Sequence, residues 1–288
     1  MRNNHAIHDQ LFYLHNLRDV DRDRYLSCLL SPSNVRISLA ILYGFNAELM
    51  RVRELTSNPF TGEMRLQWWK NIFESFDKDI SPQSASPLAD GICYIICKYD
   101  LPYQRFLDMI ESRFFDLYNE SMYDCTQLED YSFKVSSNLI HLAVRVLDNQ
   151  QYFCIPELIK HAGIAQVVGE LILLLSKHIS RGQLYLPLDI LGAAGLDRET
   201  FLSGEDREKI SVAIKIFAEW GLEHLLKARK ESSNISPNIF PAFIPISMTG
   251  NILENAINNG IKIFDHPYKV HQWIRQWQML SSSIKRRF

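Results

Sequence analysis

Three groups of side chains in this 288-residue sequence have the types and spacing to do chemistry. The first is Glu48, Arg51, Arg53 and Glu54, with Arg65 a short distance on. The second is Glu170, the one acidic residue between 161 and 178, in an otherwise apolar run with Gln166 one turn before it. The third is Arg181 and Tyr185, just past that run. Carboxylates are hard oxygen ligands for magnesium, and arginine forks match phosphate oxygens two at a time. Glu48, Glu54 and Glu170 are therefore candidates for a residual metal site, and Arg51, Arg53, Arg65 and Arg181, with Tyr185, for a phosphate or other anionic ligand. A second reading stands beside the first. Glu48 and Glu54 are six residues apart and so fall on different faces of a helix. Glu48 can pair with Arg51 at i+3, Glu54 with Arg51 or Arg53, and the arginines can simply bridge helices.

Other chemistries find no support. The nine histidines are scattered without an HExxH pattern, and there is no GxSxG, P-loop or GxGxxG. Five cysteines, an odd number with no CxxC, argue against zinc and for free thiols in a reducing compartment. A net charge of −2 gives no nucleic-acid footprint, and the basic end Lys285-Arg286-Arg287 is expected to be a solvated tail. No run reaches the roughly 18 apolar residues of a membrane span, and the N-terminal stretch has no apolar core of signal-peptide type. The expectation is a soluble, cytoplasmic protein.

Helices must position these groups. Apolar residues recur at three and four, never persistently at two, so the chain is expected to be all-α. Breaks fall at Pro32, Pro59, 81–87, Pro102, Pro156, 182–187, Gly204, 237–245 and Pro267. The helix after Pro32 carries Leu39, Leu42, Tyr43, Phe45, Leu49 and Val52 inward and suits the wall of a pocket. The helix after Pro59 carries the paired Trp68 and Trp69 and runs toward Asp77 and Asp79. Asp21 reads as a helix cap within a surface salt-bridge cluster, Asp21 to Arg24. Ser136 and Ser137 permit a close approach, either of a ligand or of a neighbouring helix.

Several segments resemble the squalene/phytoene synthase family: Leu42-Tyr43-Gly44-Phe45, Asp116-Leu117, Tyr131 to Leu139, Arg181-Gly182-Gln183-Leu184-Tyr185-Leu186-Pro187, the PNIFPAFIP run at 237–245, and Trp273 to Trp277. The resemblance runs from about Asp21 to Trp277. It implies one domain over 1–288, an isoprenoid-synthase-type helical bundle around a central cavity, with Tyr43, Phe45, Ser136, Ser137 and Gln166 toward that cavity. In the family, two aspartate-rich helices hold magnesium against diphosphate. Here the first set reads Met50, Arg51 and Glu54, and the second falls on Leu173 to His178. The segments FNAELMRVRE (45–54) and RLQWW (65–69) are similar to a divergent subgroup that includes mitochondrial complex I assembly factors. That likeness implies a non-catalytic assembly or lipid-binding factor for a respiratory membrane complex. Its partners would be a subunit of that complex and a prenyl or lipid ligand, with peripheral membrane contact, no resident cofactor and no metal. The alternative is an active head-to-head prenyltransferase in isoprenoid biosynthesis, using Mg2+.

Overall fold

Prolines and short polar side chains set the helix starts in the computed structural model, which describes residues 12–56, 58–75, 86–150, 154–266 and 268–288. Pro59, Pro87 and Pro156 occupy the first turns of their helices, where a missing N–H costs nothing. Asn58, Ser86, Asp124, Asp197 and Asp206 each accept a backbone N–H from the first turn that follows. The expected helix end near Asp77 and Asp79, residues 81–85 of the expected loop and the Pro267 break lie outside the described residues.

The described elements are helical, with no strand among them. α1 covers 12–20, α2 Arg22–Leu29, α3 Arg36–Leu55, α4 Pro59–Glu74, α5 Pro87–Tyr99 and α6 Tyr103–Ser112. α7 (Cys125–Ser132) runs through a π-helical turn (Phe133–Ser137) into α8 (Asn138–Leu147). α9 (Pro156–Leu173), α10 (Leu175–Ile179), α11 (Leu188–Ala193), α12 (Arg198–Ser203) and α13 (Arg207–Glu231) follow. α14 (Thr249–Asn259) and α15 (Gln272–Lys285) complete the order. None is long and apolar enough to cross a membrane.

α9 is the centre. It is buried almost all round and packs on α13, α14 and the π turn. Two close approaches fix it. A Cβ on Gly221 of α13 would sit 2.6 Å from Val168, and one on Gly163 would sit 2.7 Å from the Ser137 backbone nitrogen. Ser137 thus marks a helix crossing rather than a ligand wall. Within the same core an aromatic cluster joins α3, α4 and α6 through Phe45, Trp69, Phe73 and Phe106, with ring centroids 4.9 to 5.8 Å apart. Phe45, expected to line the cavity, is fully enclosed in this cluster, and Tyr43 is buried on the other side of α3, against α2. Both side chains go into packing instead of facing open space.

The basic end is solvated as expected, but it is not a free tail. Phe288 is buried, stacks on Phe243 at 5.7 Å, and its carbonyl accepts from Arg229 Nε at 2.6 Å. Lys285, Arg286 and Arg287 are exposed but held in place by that anchor.

Candidate functional site

Two hollows meet at Arg51. One is a cleft of about 880 Å³ between α1, α3, α4 and the start of α5, lined by apolar groups such as Leu17, Val20, Leu55, Met64 and Trp68. The other is a polar cavity of about 370 Å³ between α3, α9 and α10. Asp19, Val20, Ala47 and Arg51 belong to both walls. A third hollow, of about 390 Å³, lies on the far side of Asp21, Met50 and Glu170.

The floor of the polar cavity is a satisfied network. The hydroxyls of Tyr131 and Tyr185 both donate to Asp116 Oδ1 at 2.8 Å. Arg113 Nη1 meets Asp116 Oδ2 at 3.0 Å and the Tyr131 hydroxyl at 3.0 Å. Gln183 Nε2 donates to the Tyr185 hydroxyl at 2.6 Å and to the Asp116 carbonyl at 3.1 Å. Burial, reinforced by the Asp116 carboxylate, pushes both tyrosines well above their usual range. Burial disfavours the Arg113 cation, but Tyr131 and Asp116 outweigh it and leave the guanidinium above its ordinary value. The π turn advances the register between Tyr131 and Ser136, so that the tyrosine reaches Asp116 while Ser136 faces α9.

Glu170 heads a second chain of contacts. Ser136 Oγ donates to Gln166 Oε1 at 3.0 Å, and Gln166 Nε2 donates to Glu170 Oε1 at 3.2 Å. Arg24 Nη2 lies 3.5 Å from Glu170, and Arg24 Nη1 lies 2.7 Å from Asp21. Burial raises the Glu170 pKa, opposed by Arg24. Asp21 does cap its helix, but the expected surface cluster is a buried one, because Arg24 turns inward to meet Glu170. Of the five residues expected toward a cavity, Gln166 lines the third of these hollows, and Ser136 acts by holding it.

The ion pairs expected within α3 are replaced by pairs between helices. Glu48 meets Arg65 of α4 at 3.4 Å, and Glu54 meets Lys177 of α10. Arg51, Arg53 and Arg181 line the polar cavity, and among the described residues none of them has an ion-pair partner. Arg53 Nε is buried and accepted by no described group. The arrangement therefore offers cationic forks to an anion. It offers little to magnesium. Met50 presents a thioether, which accepts from Asn46 Nδ2 at 3.3 Å, and Arg51 a positive charge. Glu54 and Glu170 are occupied by Lys177 and Arg24. No group of three or more His, Cys, Asp or Glu among the described residues is placed to hold a metal ion. The donor set does not fit a magnesium–diphosphate centre.

Sequence reasoning missed Arg113 and Lys177, placed Arg24 on the surface, and gave Asp116 and Tyr131 no role. The i, i+3 spacing of Arg113 and Asp116 was the available signal; Lys177 carried none, since its partner is 123 residues away.

Comparison with known proteins identifies the family and the fold. The family model described as squalene/phytoene synthase matches residues 17–275. A relative from Rattus norvegicus, "NADH dehydrogenase (ubiquinone) complex I, assembly factor 6", is 28% identical over 257 residues, covering 89% of this chain and 76% of its own length. Among solved structures, a dehydrosqualene synthase in complex with ligand superposes with a TM-score of 0.80 at 15% identity, covering 98% of each chain. A squalene synthase from Alicyclobacillus acidocaldarius gives 0.74 at 14% identity, covering 88% of this chain and 94% of its own. At these identities the solved structures establish the fold.

Proposed function

This chain belongs to the squalene/phytoene synthase family, and from that premise we propose that it is a non-catalytic member, an assembly factor for a respiratory membrane complex that binds an anionic prenyl or lipid molecule without metal. The observation that carries the reading is the pairing of Glu54 with Lys177 beside three arginines that lack ion-pair partners among the described residues. Ionising an allylic diphosphate takes a concentrated positive charge that can follow the leaving group, which the family obtains from magnesium. Fixed arginines can bind phosphate oxygens, but with the carboxylates neutralised they recruit no metal. The polar cavity would take the head group and the apolar cleft beside Arg51 the hydrocarbon. The similarity to a complex I assembly factor supports the assembly role. The reading keeps the chain on the cytoplasmic side, beside the membrane enzyme it serves.

The test has two arms. Binding of a non-hydrolysable farnesyl diphosphate analogue is measured in excess chelator, for the natural chain and for Arg51→Gln/Arg53→Gln. Respiratory complex I is then quantified on native gels after deletion of the gene and after its return. Chelator-resistant binding that the double variant loses, with less complex I in the deletion, supports the proposal. Binding that needs magnesium, or normal complex I in the deletion, contradicts it.

A further inference from the structure

The outer face of α15 has no counterpart in the site above. Trp273, Trp277, Leu280 and Ile284 follow one another at spacings of four, three and four, so they form one narrow stripe. The stripe points away from Met279 and Ser282, which face the core. Trp273 and Trp277 are each 68% exposed and Ile284 72%. Large apolar side chains in that number on one helix face are a costly surface in water.

The segment that carries the stripe holds charge of one sign. From His266 to Phe288 the chain has no Asp or Glu, but carries Lys269, Arg275, Lys285, Arg286 and Arg287. Arg275 is taken up by Asp23 of α2. The other four are exposed, and the buried Phe288 fixes the last three at the end of the helix. Tryptophans on an exposed helical stripe, with lysine and arginine beside it, suit the boundary between lipid head groups and acyl chains. The indoles can enter the boundary while the cations meet anionic head groups. A protein partner fits less well, because a stable interface takes roughly 20–30 residues a side and four side chains make only a ridge.

The geometry points to α15 as a membrane-docking helix that lays Trp273, Trp277, Leu280 and Ile284 into an anionic lipid surface. This surface is separate from the arginine cavity and needs no ligand there.

The experiment is vesicle flotation of the full chain, with phosphatidylcholine alone and with about a third phosphatidylglycerol, while tryptophan emission is followed. Flotation with the anionic vesicles and a blue-shifted emission are expected. Trp273→Ser/Trp277→Ser should abolish both. Lys285→Gln/Arg286→Gln/Arg287→Gln should weaken partitioning about fivefold per charge, on the order of a hundredfold in all. Circular dichroism of each variant confirms folding, and quenching of the natural chain by brominated lipid tests the same contact without substitution. Absence of flotation at low salt would overturn the inference. So would flotation that the tryptophan double variant retains, or a stripe that engages a purified respiratory subunit but no vesicle.

Discussion

Lys177 on α10 lays its ammonium against the carboxylate of Glu54 at the end of α3, 123 residues earlier. The resemblance read from the sequence placed the last carboxylate of one metal-binding set at Glu54 and the other set around Lys177. The two helices still face each other here, but a cation has come to meet the anion directly. The pair ties α3 to α10 directly, through an anion and a cation.

That pair is half-exposed, so its removal should matter little to stability. Lys177→Met is expected to change the unfolding free energy by about 0–1 kcal/mol. It should not create magnesium binding by calorimetry either, because neighbouring Met50 offers only a thioether and Arg51 a positive charge. Magnesium binding at millimolar levels in this variant would show that the lysine alone suppresses a metal site.

The network at Asp116 should behave in the opposite way. Its carboxylate and the Arg113 guanidinium are both nearly enclosed. Asp116→Asn leaves the arginine buried without its counter-charge and is expected to cost about 3–5 kcal/mol in urea denaturation. Tyr131→Phe, which removes one hydroxyl, should cost about 1 kcal/mol. Equal, small effects would mean that the floor of the cavity is open to water.

Much of this was legible in the sequence and some was not, for physical reasons. Helical periodicity gave the elements, and the segments around Leu42, Asp116, Arg181 and Phe240 gave their arrangement. Arg51, Arg53 and Arg181, selected from the sequence as anion ligands, line one cavity and have no ion-pair partner among the described residues. Ion-pair partners were misread because i, i+3 reasoning sees one helix, while Glu48 and Glu54 find cations on neighbouring ones. Phe45 was misplaced because an inward-facing residue on a pocket-lining helix can face either the hollow or the core. The anchoring of Phe288 could not be read at all, since it depends on Arg229 and Phe243.

The close approach at Gly163 makes a sharper demand. An added methyl would meet the Ser137 backbone nitrogen at 2.7 Å, and backbone cannot swing aside as a side chain can. Gly163→Ala is expected to lower stability by about 1–3 kcal/mol, seen as a lowered thermal midpoint. An unchanged midpoint would show that α9 and the π turn are looser than described.

Acid should destabilise the fold. Burial, first among the causes, lowers the pKa of His141 from 6.5 to about 3 and those of His178 and His224 to about 4. The unfolded chain binds these protons near pH 6.5 and the folded chain does not, so their contribution is full above 6.5. It is lost as pH falls toward 4. Glu170 and Asp23, raised by burial, act in the opposite sense, losing stability as pH rises through their folded values. Three histidines whose protonation opposes folding across this range predict that the urea midpoint falls between pH 7 and pH 5. His224→Gln should flatten that slope. A midpoint that rises on acidification would contradict the burial of these rings.

The most direct test of the central claim is pyrophosphate release from farnesyl and geranylgeranyl diphosphate by the purified chain, with and without magnesium. The account predicts no release above the buffer rate in either condition. Magnesium-dependent release that disappears in Glu54→Gln or Glu170→Gln would contradict it, because those carboxylates would then be working metal ligands.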